Sequence, residues 1–170
     1  MTVKLNEHNK IFADWVRDHS AILWKVTRSF APSGQPEDLH QELLVALWQA
    51  VPAYRGEAKP STFIYRVAHN YALTWLRKQQ RYQKTFDQFS EAVPDRAGPV
   101  DASSAELEHR ISRLYEAIRS LPEIDRTLTL LYLDEISYRE MADVLGISES
   151  NVGVRLNRIK KRLAEELQED

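Results

Sequence analysis

The chain has 170 residues, 43% of them apolar, a net charge of −2 and no cysteine. The missing cysteines exclude a disulfide framework and every thiolate metal or nucleophile site, and they agree with a reducing compartment. The N-terminus, MTVKLNEHNK, lacks the apolar core of a secretory signal. No apolar run approaches the roughly 18 residues of a membrane span, so a soluble cytoplasmic protein is expected.

Nearly every periodic segment repeats at 3.6 residues, which predicts an all-α fold. Ile11, Phe12, Trp15, Val16, Ile22, Leu23 and Val26 form one helical stripe or two short ones, broken by Pro32, Gly34 and Pro36. Glu37 and Asp38 suit a helix N-terminus. Leu39, Leu43, Leu44, Leu47, Trp48 and Val51 carry a second stripe to Pro52. After the turn-rich YRGEAKPS, Ser61 or Thr62 is expected to cap a third helix running to about Lys84. One side of that helix holds Ile64, Val67, Ala68, Tyr71 and Trp75; the other holds Arg66, His69, Asn70 and Arg77. Phe63, Tyr71 and Trp75 are assigned to the core.

Periodicity vanishes over 85–107, an acidic stretch with Pro94, Gly98 and Pro99 that reads as a flexible linker. It resumes at Leu107, Ile111, Leu114, Tyr115 and Ile118, and Pro122 opens a further helix with Ile124, Leu128, Leu131 and Tyr132. Two small helical domains, 1–84 and 108–170, joined by a tether over 85–107, are therefore expected. Charge is segregated along them. Residues 54–84 carry Arg55, Lys59, Arg66, Arg77, Lys78, Arg81 and Lys84 against Glu57 alone. Residues 148–164 carry Arg155, Arg158, Lys160, Lys161 and Arg162 against Glu149. Two basic islands in an acidic chain suggest two separate anionic contacts.

The strongest motif is SYREMADVLGISESNVGVRLNRIKKRL, residues 137–163. Ser137 and Glu140 form a capping box, Met141, Ala142 and Leu145 face inward, and Gly146 ends the helix in a left-handed conformation. Ile147 plugs the turn, and Ser148 caps a second helix that buries Val152, Leu156, Ile159 and Leu163. This is helix-turn-helix grammar, in which the second helix enters the major groove. Its outer face carries Ser150, Val154, Asn157, Arg158 and Lys161. Arg158 suits guanine, Asn157 suits adenine and Val154 suits a thymine methyl. Ser150 and Asn151 are placed for phosphate contacts. Lys160, Lys161 and Arg162 read as backbone neutralisers or surface charges.

With these motifs the sequence resembles the extracytoplasmic-function (ECF) sigma factors of bacterial RNA polymerase over most of its length. LPEIDRTLTLLYLDEISYREMADVLGISESNVGVRLNRIKKRL resembles sigma region 4, and EDLHQELLVALWQAVPAYRGEAKPSTFIYRVAHNYALTWLRKQQR resembles region 2. The resemblance implies −35 promoter binding by Ser150, Asn151, Val154, Arg155, Asn157, Arg158 and Lys161. It implies docking on the β′ clamp coiled coil of core RNA polymerase through Asp38, Leu39, Gln41, Glu42, Leu43 and Leu47. It implies −10 DNA binding by Tyr54, Arg55, Lys59, Ser61, Arg66, Asn70 and Arg77, where stacking, pockets and basic residues capture unpaired bases. Further implied partners are the polymerase β flap, promoter DNA and an anti-sigma factor. Departures from the family pattern are His69 where an Arg is usual, Gly153 where Lys or Arg is usual, and Val154 where Ser or Thr is usual. With Glu149 beside them, they predict an unusual −35 preference or a low intrinsic affinity.

Two other functions fit the helices: a stand-alone helix-turn-helix regulator, which needs a dimer and a palindromic operator, and a helical adaptor that never touches DNA. An enzyme is the weakest option. The five histidines show no metal-ligand spacing, no glycine-rich phosphate loop is present, and neither catalytic residues nor a cofactor or metal is expected.

Overall fold

The structure, a computed structural model, describes residues 2–31, 36–86 and 102–168. Helices α1 (Thr2–Phe30), α2 (Pro36–Ala50) and α3 (Pro60–Phe86) form the N-terminal unit, with a 3-10 turn at Val51–Ala53. Helices α4 (Ala102–Ser120), α5 (Glu123–Leu133), α6 (Tyr138–Leu145) and α7 (Glu149–Gln168) form the C-terminal unit. The fold is all-α, as the periodicity requires; among the described residues there is no strand.

The first apolar stripe forms two helical segments that meet within α1 at a kink at His19, where φ is −131° and ψ 15°. Trp15, Leu23, Val26 and Phe30 of α1 meet Leu39, Leu43 and Leu47 of α2 and Ile64, Ala68, Ala72 and Trp75 of α3. Each fully buried leucine contributes about 2 kcal/mol of transfer free energy, so the three α2 leucines anchor that helix. Ser61 and Thr62 do not cap α3. Pro60 already occupies the first helical position, where no N–H is needed, and the Lys59 carbonyl accepts from the Phe63 N–H at 3.1 Å. Helix α3 continues to Phe86 and α4 starts at Ala102, so both ends of the expected 85–107 linker are helical. The rest of that linker, and Pro32 and Gly34, lie outside the described residues.

The C-terminal unit follows its motif closely. Ser137 caps α6 in a complete capping box with Glu140, and Gly146 closes it at φ 66°. The Ser148 hydroxyl accepts from the Asn151 N–H at 3.2 Å and so caps α7. Val152, Leu156 and Ile159 are buried against Met141, Val144, Leu128 and Ile118. Pro122 caps α5 from one position outside the helix. The other end of α5 is a Schellman closure: Ile136 N–H donates to the Leu131 carbonyl and Glu135 N–H to that of Tyr132. Glu135 takes the left-handed position there, at φ 55°, where glycine is usual.

The two units are packed together. Helices α1 and α3 lie against α4, α5 and α6, whereas α2 touches only α1, α3 and the 3-10 turn among the described elements.

Candidate nucleic-acid and polymerase interfaces

Ser150, Val154, Asn157, Arg158 and Lys161 are all exposed on one face of α7, opposite the buried Val152, Leu156 and Ile159. Asn151 is half-buried. Arg155 differs from the expectation. It turns inward, and its Nη1 donates to Asp125 Oδ1 at 2.6 Å, tying α7 to α5. Its side chain is only 25% exposed, which takes it off the exposed face of the helix. Lys160 sits over the Tyr132 ring at 4.2 Å, and Arg162 reaches back to the Ser120 carbonyl at 3.2 Å.

The second basic island is arranged differently. Tyr54, Arg55, Glu57, Phe63 and Arg66 line a cavity of about 450 Å³, with Asp143 of α6 on its far wall. Tyr54 is held by its hydroxyl, which donates to the Ala58 carbonyl at 2.9 Å, and by edge contact with Trp15. Arg66 Nε is buried there without a hydrogen-bond partner. Arg55, Asn70 and Arg77 are exposed. Lys59 is paired with Glu140 of α6 at 3.1 Å, and Ser61 lines a separate cleft with Asp134 and Ile136. Phe63 was assigned to the core, yet it borders this cavity and is half-buried.

His69 departs most from its expected place. The wheel puts it on the polar side of α3 beside Arg66, and at His69 that side faces the other unit rather than solvent. His69 is 5% exposed, and its Nδ1 shares a 2.7 Å hydrogen bond with Thr127 Oγ1 of α5. Burial holds its pKa down, to about 4. The same seam contains Asp134, which pairs with Lys25 and accepts from the Tyr65 hydroxyl at 2.5 Å. Burial, then the Asp134 carboxylate, pushes the Tyr65 hydroxyl far above its ordinary value. Glu140 accepts from Thr62 at 3.3 Å as well as pairing with Lys59. Hydrogen bonds from Ser137, then from Lys59, hold its carboxyl near about 2. Two stacked cations complete the seam, Arg126 over Phe30 and Arg28 over Tyr115. Sequence reasoning missed this seam. Short polar residues within the helices were the available signal, for Thr62, Thr127 and Thr129 are buried along with His69.

The α2 surface needs one correction. Asp38, Gln41 and Glu42 are exposed, but Leu39, Leu43 and Leu47 are 0–1% exposed. Those leucines hold α2 in the bundle and cannot touch a partner docked on it. The exposed apolar residues of the helix are Val45 and Trp48. Trp48 rests against the His8 ring at 4.5 Å, and its indole donates to Asn9 at 3.3 Å. Glu42 accepts from the Tyr71 hydroxyl, which is pushed up to about 12 by that bond. No group of side chains among the described residues is arranged to hold a metal ion, and no described helix is long and apolar enough to cross a membrane.

The chain is similar to known proteins along both helical units. The Sigma-70 region 2 family matches residues 15–82, and the Sigma-70, region 4 family matches residues 111–163. The ECF RNA polymerase sigma-E factor of Escherichia coli is 27% identical over 149 residues, covering 82% of this chain and 77% of that protein. The RNA polymerase sigma factor YlaC of Bacillus subtilis is 27% identical over 134 residues, covering 75% and 74%. Two solved structures share the fold. One is the sigma factor RpoE in complex with the anti-sigma factor NepR from Bartonella quintana, with a TM-score of 0.68, 21% identity and coverage of 92% of this chain and 98% of that one. The other is CnrH in complex with the cytosolic domain of CnrY, with a TM-score of 0.65, 23% identity and coverage of 95% and 90%. The two family matches follow one another in chain order, each on one helical unit, and together they take in the helix-turn-helix and the α2–α3 pair. This chain belongs to the extracytoplasmic-function class of RNA polymerase sigma factors.

Proposed function

We propose that this sigma factor divides its work among three surfaces. Asp38, Gln41 and Glu42, joined by Val45 and Trp48, dock the exposed face of α2 on the β′ clamp coiled coil of core polymerase. Acidic and amide groups there meet a basic partner helix, and the exposed tryptophan supplies apolar anchorage. Arg55, Lys59, Arg66, Asn70 and Arg77 follow the unpaired strand of the −10 element, with Tyr54 and Phe63 bordering a cavity that suits a base. Ser150, Asn151, Val154, Asn157, Arg158 and Lys161 read the −35 duplex in the major groove. Arg155 serves the −35 surface indirectly, by fixing α7 against α5. The protein does no chemistry of its own. It acts in the cytoplasm, where the polymerase is, and an anti-sigma factor is a further partner, as for the RpoE of the solved complex.

The observation that carries this reading is the solvent-facing row of Ser150, Val154, Asn157, Arg158 and Lys161 on a helix-turn-helix whose opposite face is fully packed. In vitro transcription with purified core polymerase on a genomic library tests it. Asp38→Arg is expected to lose core binding without unfolding. Retained core affinity in that variant would contradict the α2 assignment.

A further inference from the structure

Gly153 lies in ordinary helical backbone near the start of α7. A glycine inside a helix weakens it relative to alanine, because more backbone freedom is lost on folding. Neither backbone conformation nor lack of space demands it here: an added Cβ would meet only the Tyr138 ring, at an ordinary 3.7 Å. What the missing side chain leaves is a notch on the outer surface of the helix. The Tyr138 ring of α6 stands on one side of it. Val154 projects from the next position, about 100° round the helix. Tyr138 is 43% and Val154 54% exposed, two apolar surfaces beside the polar Ser150, Asn157, Arg158 and Lys161.

The geometry points to a thymine-methyl notch: Tyr138 and Gly153, with Val154, make duplex recognition by α7 depend on the 5-methyl group of one thymine. This deepens the −35 reading proposed above and rests on it. In the major groove the thymine methyl is the apolar group on the base edges; the other groups there are hydrogen-bond donors and acceptors. A hollow walled by an aromatic ring and a valine gives a methyl apolar contact. A base amine or carbonyl set against the same walls loses its hydrogen bond to water without replacement. Gly153 and Val154 lie in the N-terminal part of the second helix, the part that meets base edges in a helix-turn-helix. The ring has a fixed base, since Tyr138 is the first residue of α6 and the Ser137–Glu140 capping box sets that helix start.

The charges of α7 give such a contact weight. Arg155 pairs with Asp125, Lys160 lies over the Tyr132 ring, and Arg162 reaches the Ser120 carbonyl. Arg158 and Lys161 are the cations that α7 keeps on the exposed row with Ser150, Val154 and Asn157. Contacts to phosphate add affinity without sequence information. Base choice therefore falls to a few groups, Asn157, Arg158 and the notch, and one methyl is a sizeable share of what they supply.

Modified bases test the notch in holoenzyme assembled from the full-length protein and purified core polymerase. Templates randomised across the −35 region are selected for binding. Each thymine of the selected element is then replaced singly by deoxyuridine, which keeps the hydrogen-bonding edge and lacks the methyl. At one thymine the replacement is expected to weaken binding about four-fold, the transfer free energy of a single methyl. Tyr138→Ala is expected to erase that difference, so that thymine and deoxyuridine templates bind alike. Tyr138→Phe keeps the ring and is expected to preserve it. If circular dichroism finds Tyr138→Ala unfolded, Gly153→Gln, which fills the notch with a polar chain, takes its place with the same expected result. Methyl dependence at no thymine, or a dependence that survives removal of the ring, overturns the notch. In either case a selected −35 sequence leaves α7 standing as the reader. If the wild type shows no methyl dependence and Tyr138→Phe weakens every template alike, the tyrosine hydroxyl serves a phosphate and the notch is overturned. Selection of no preferred −35 sequence removes the −35 reading, and the notch with it.

Discussion

Helices α3 and α7 each carry a basic stripe opposite an apolar one, and they end up in opposite situations. On α7 Ser150, Val154, Asn157, Arg158 and Lys161 meet solvent, Asn151 is half-buried and Arg155 turns inward. On α3 the polar stripe is split: Asn70 and Arg77 stay exposed, while His69 is buried and Arg66 half-buried beside the other unit. The lesson is that a polar helical face marks where a helix avoids its own core. Whether water, DNA or a second domain takes that face is decided by packing between units.

Acid should break this contrast most strongly. His69 is buried neutral, with its pKa held near 4 against 6.5 for the free imidazole. The stability it supports is complete above about pH 6.5 and is lost as pH falls toward 4, about 3 kcal/mol at the limit. Glu140, held near 2, adds a loss of the same sign as pH falls below 4.5. The closed seam should therefore open on acidification while α7 stays folded and exposed. A distance between spin labels at Ala13→Cys on α1 and Glu165→Cys on α7 that stays constant from pH 7 to pH 4 would remove His69 from the seam.

Asp125→Ala sharpens the distinction between Arg155 and its neighbours on α7. It leaves a partly buried guanidinium unpaired, and a loss of about 2–3 kcal/mol in urea unfolding is expected. Base preference at −35 should be unchanged. If Arg155→Ala instead alters base preference at constant stability, Arg155 belongs with the readers. Arg158→Ala should do the reverse of Asp125→Ala: stability held, −35 binding weakened by about 1–3 kcal/mol and specificity relaxed at one base. Unchanged transcription from every promoter would refute that role. The smallest effect is expected from Gly153→Ala. The added methyl meets only the Tyr138 ring at an ordinary 3.7 Å, so α7 should gain up to about 1 kcal/mol of helix propensity. Thermal unfolding of the variant reads that gain directly, and a lower melting temperature would show that the glycine is needed where it is.

Legibility in the sequence followed the range of the interactions. The region 4 helices were readable almost residue by residue, because capping boxes, a left-handed glycine and 3.6-residue spacing act within one or two turns. The cap of α3 was misplaced by two or three residues because Pro60 competes with Ser61 and Thr62 for the same start, and the proline's fixed φ prevails. Leu39, Leu43 and Leu47 were expected to help dock polymerase, although their own spacing marks them as core; Val45 and Trp48, on the outer face, carry the exposed apolar surface instead. Arg155 and His69 could not be placed from a single helix. Each is fixed by a partner far along the chain, Asp125 and Thr127, and no local pattern names such partners.

By itself the sequence determined the helical periodicity, the helix-turn-helix and two basic islands, since all of these are written in spacing and local chemistry, and its resemblance to a known family implied the class of sigma factor. Only the tertiary structure decided that the two units pack on each other, that Asp134 and Glu140 help to join them, and that one basic face is partly covered while the other is open. The physical reason is that contacts between units depend on which surfaces meet after each core has formed, and a charge on a helix is equally stable in water or against a matching charge until that meeting occurs.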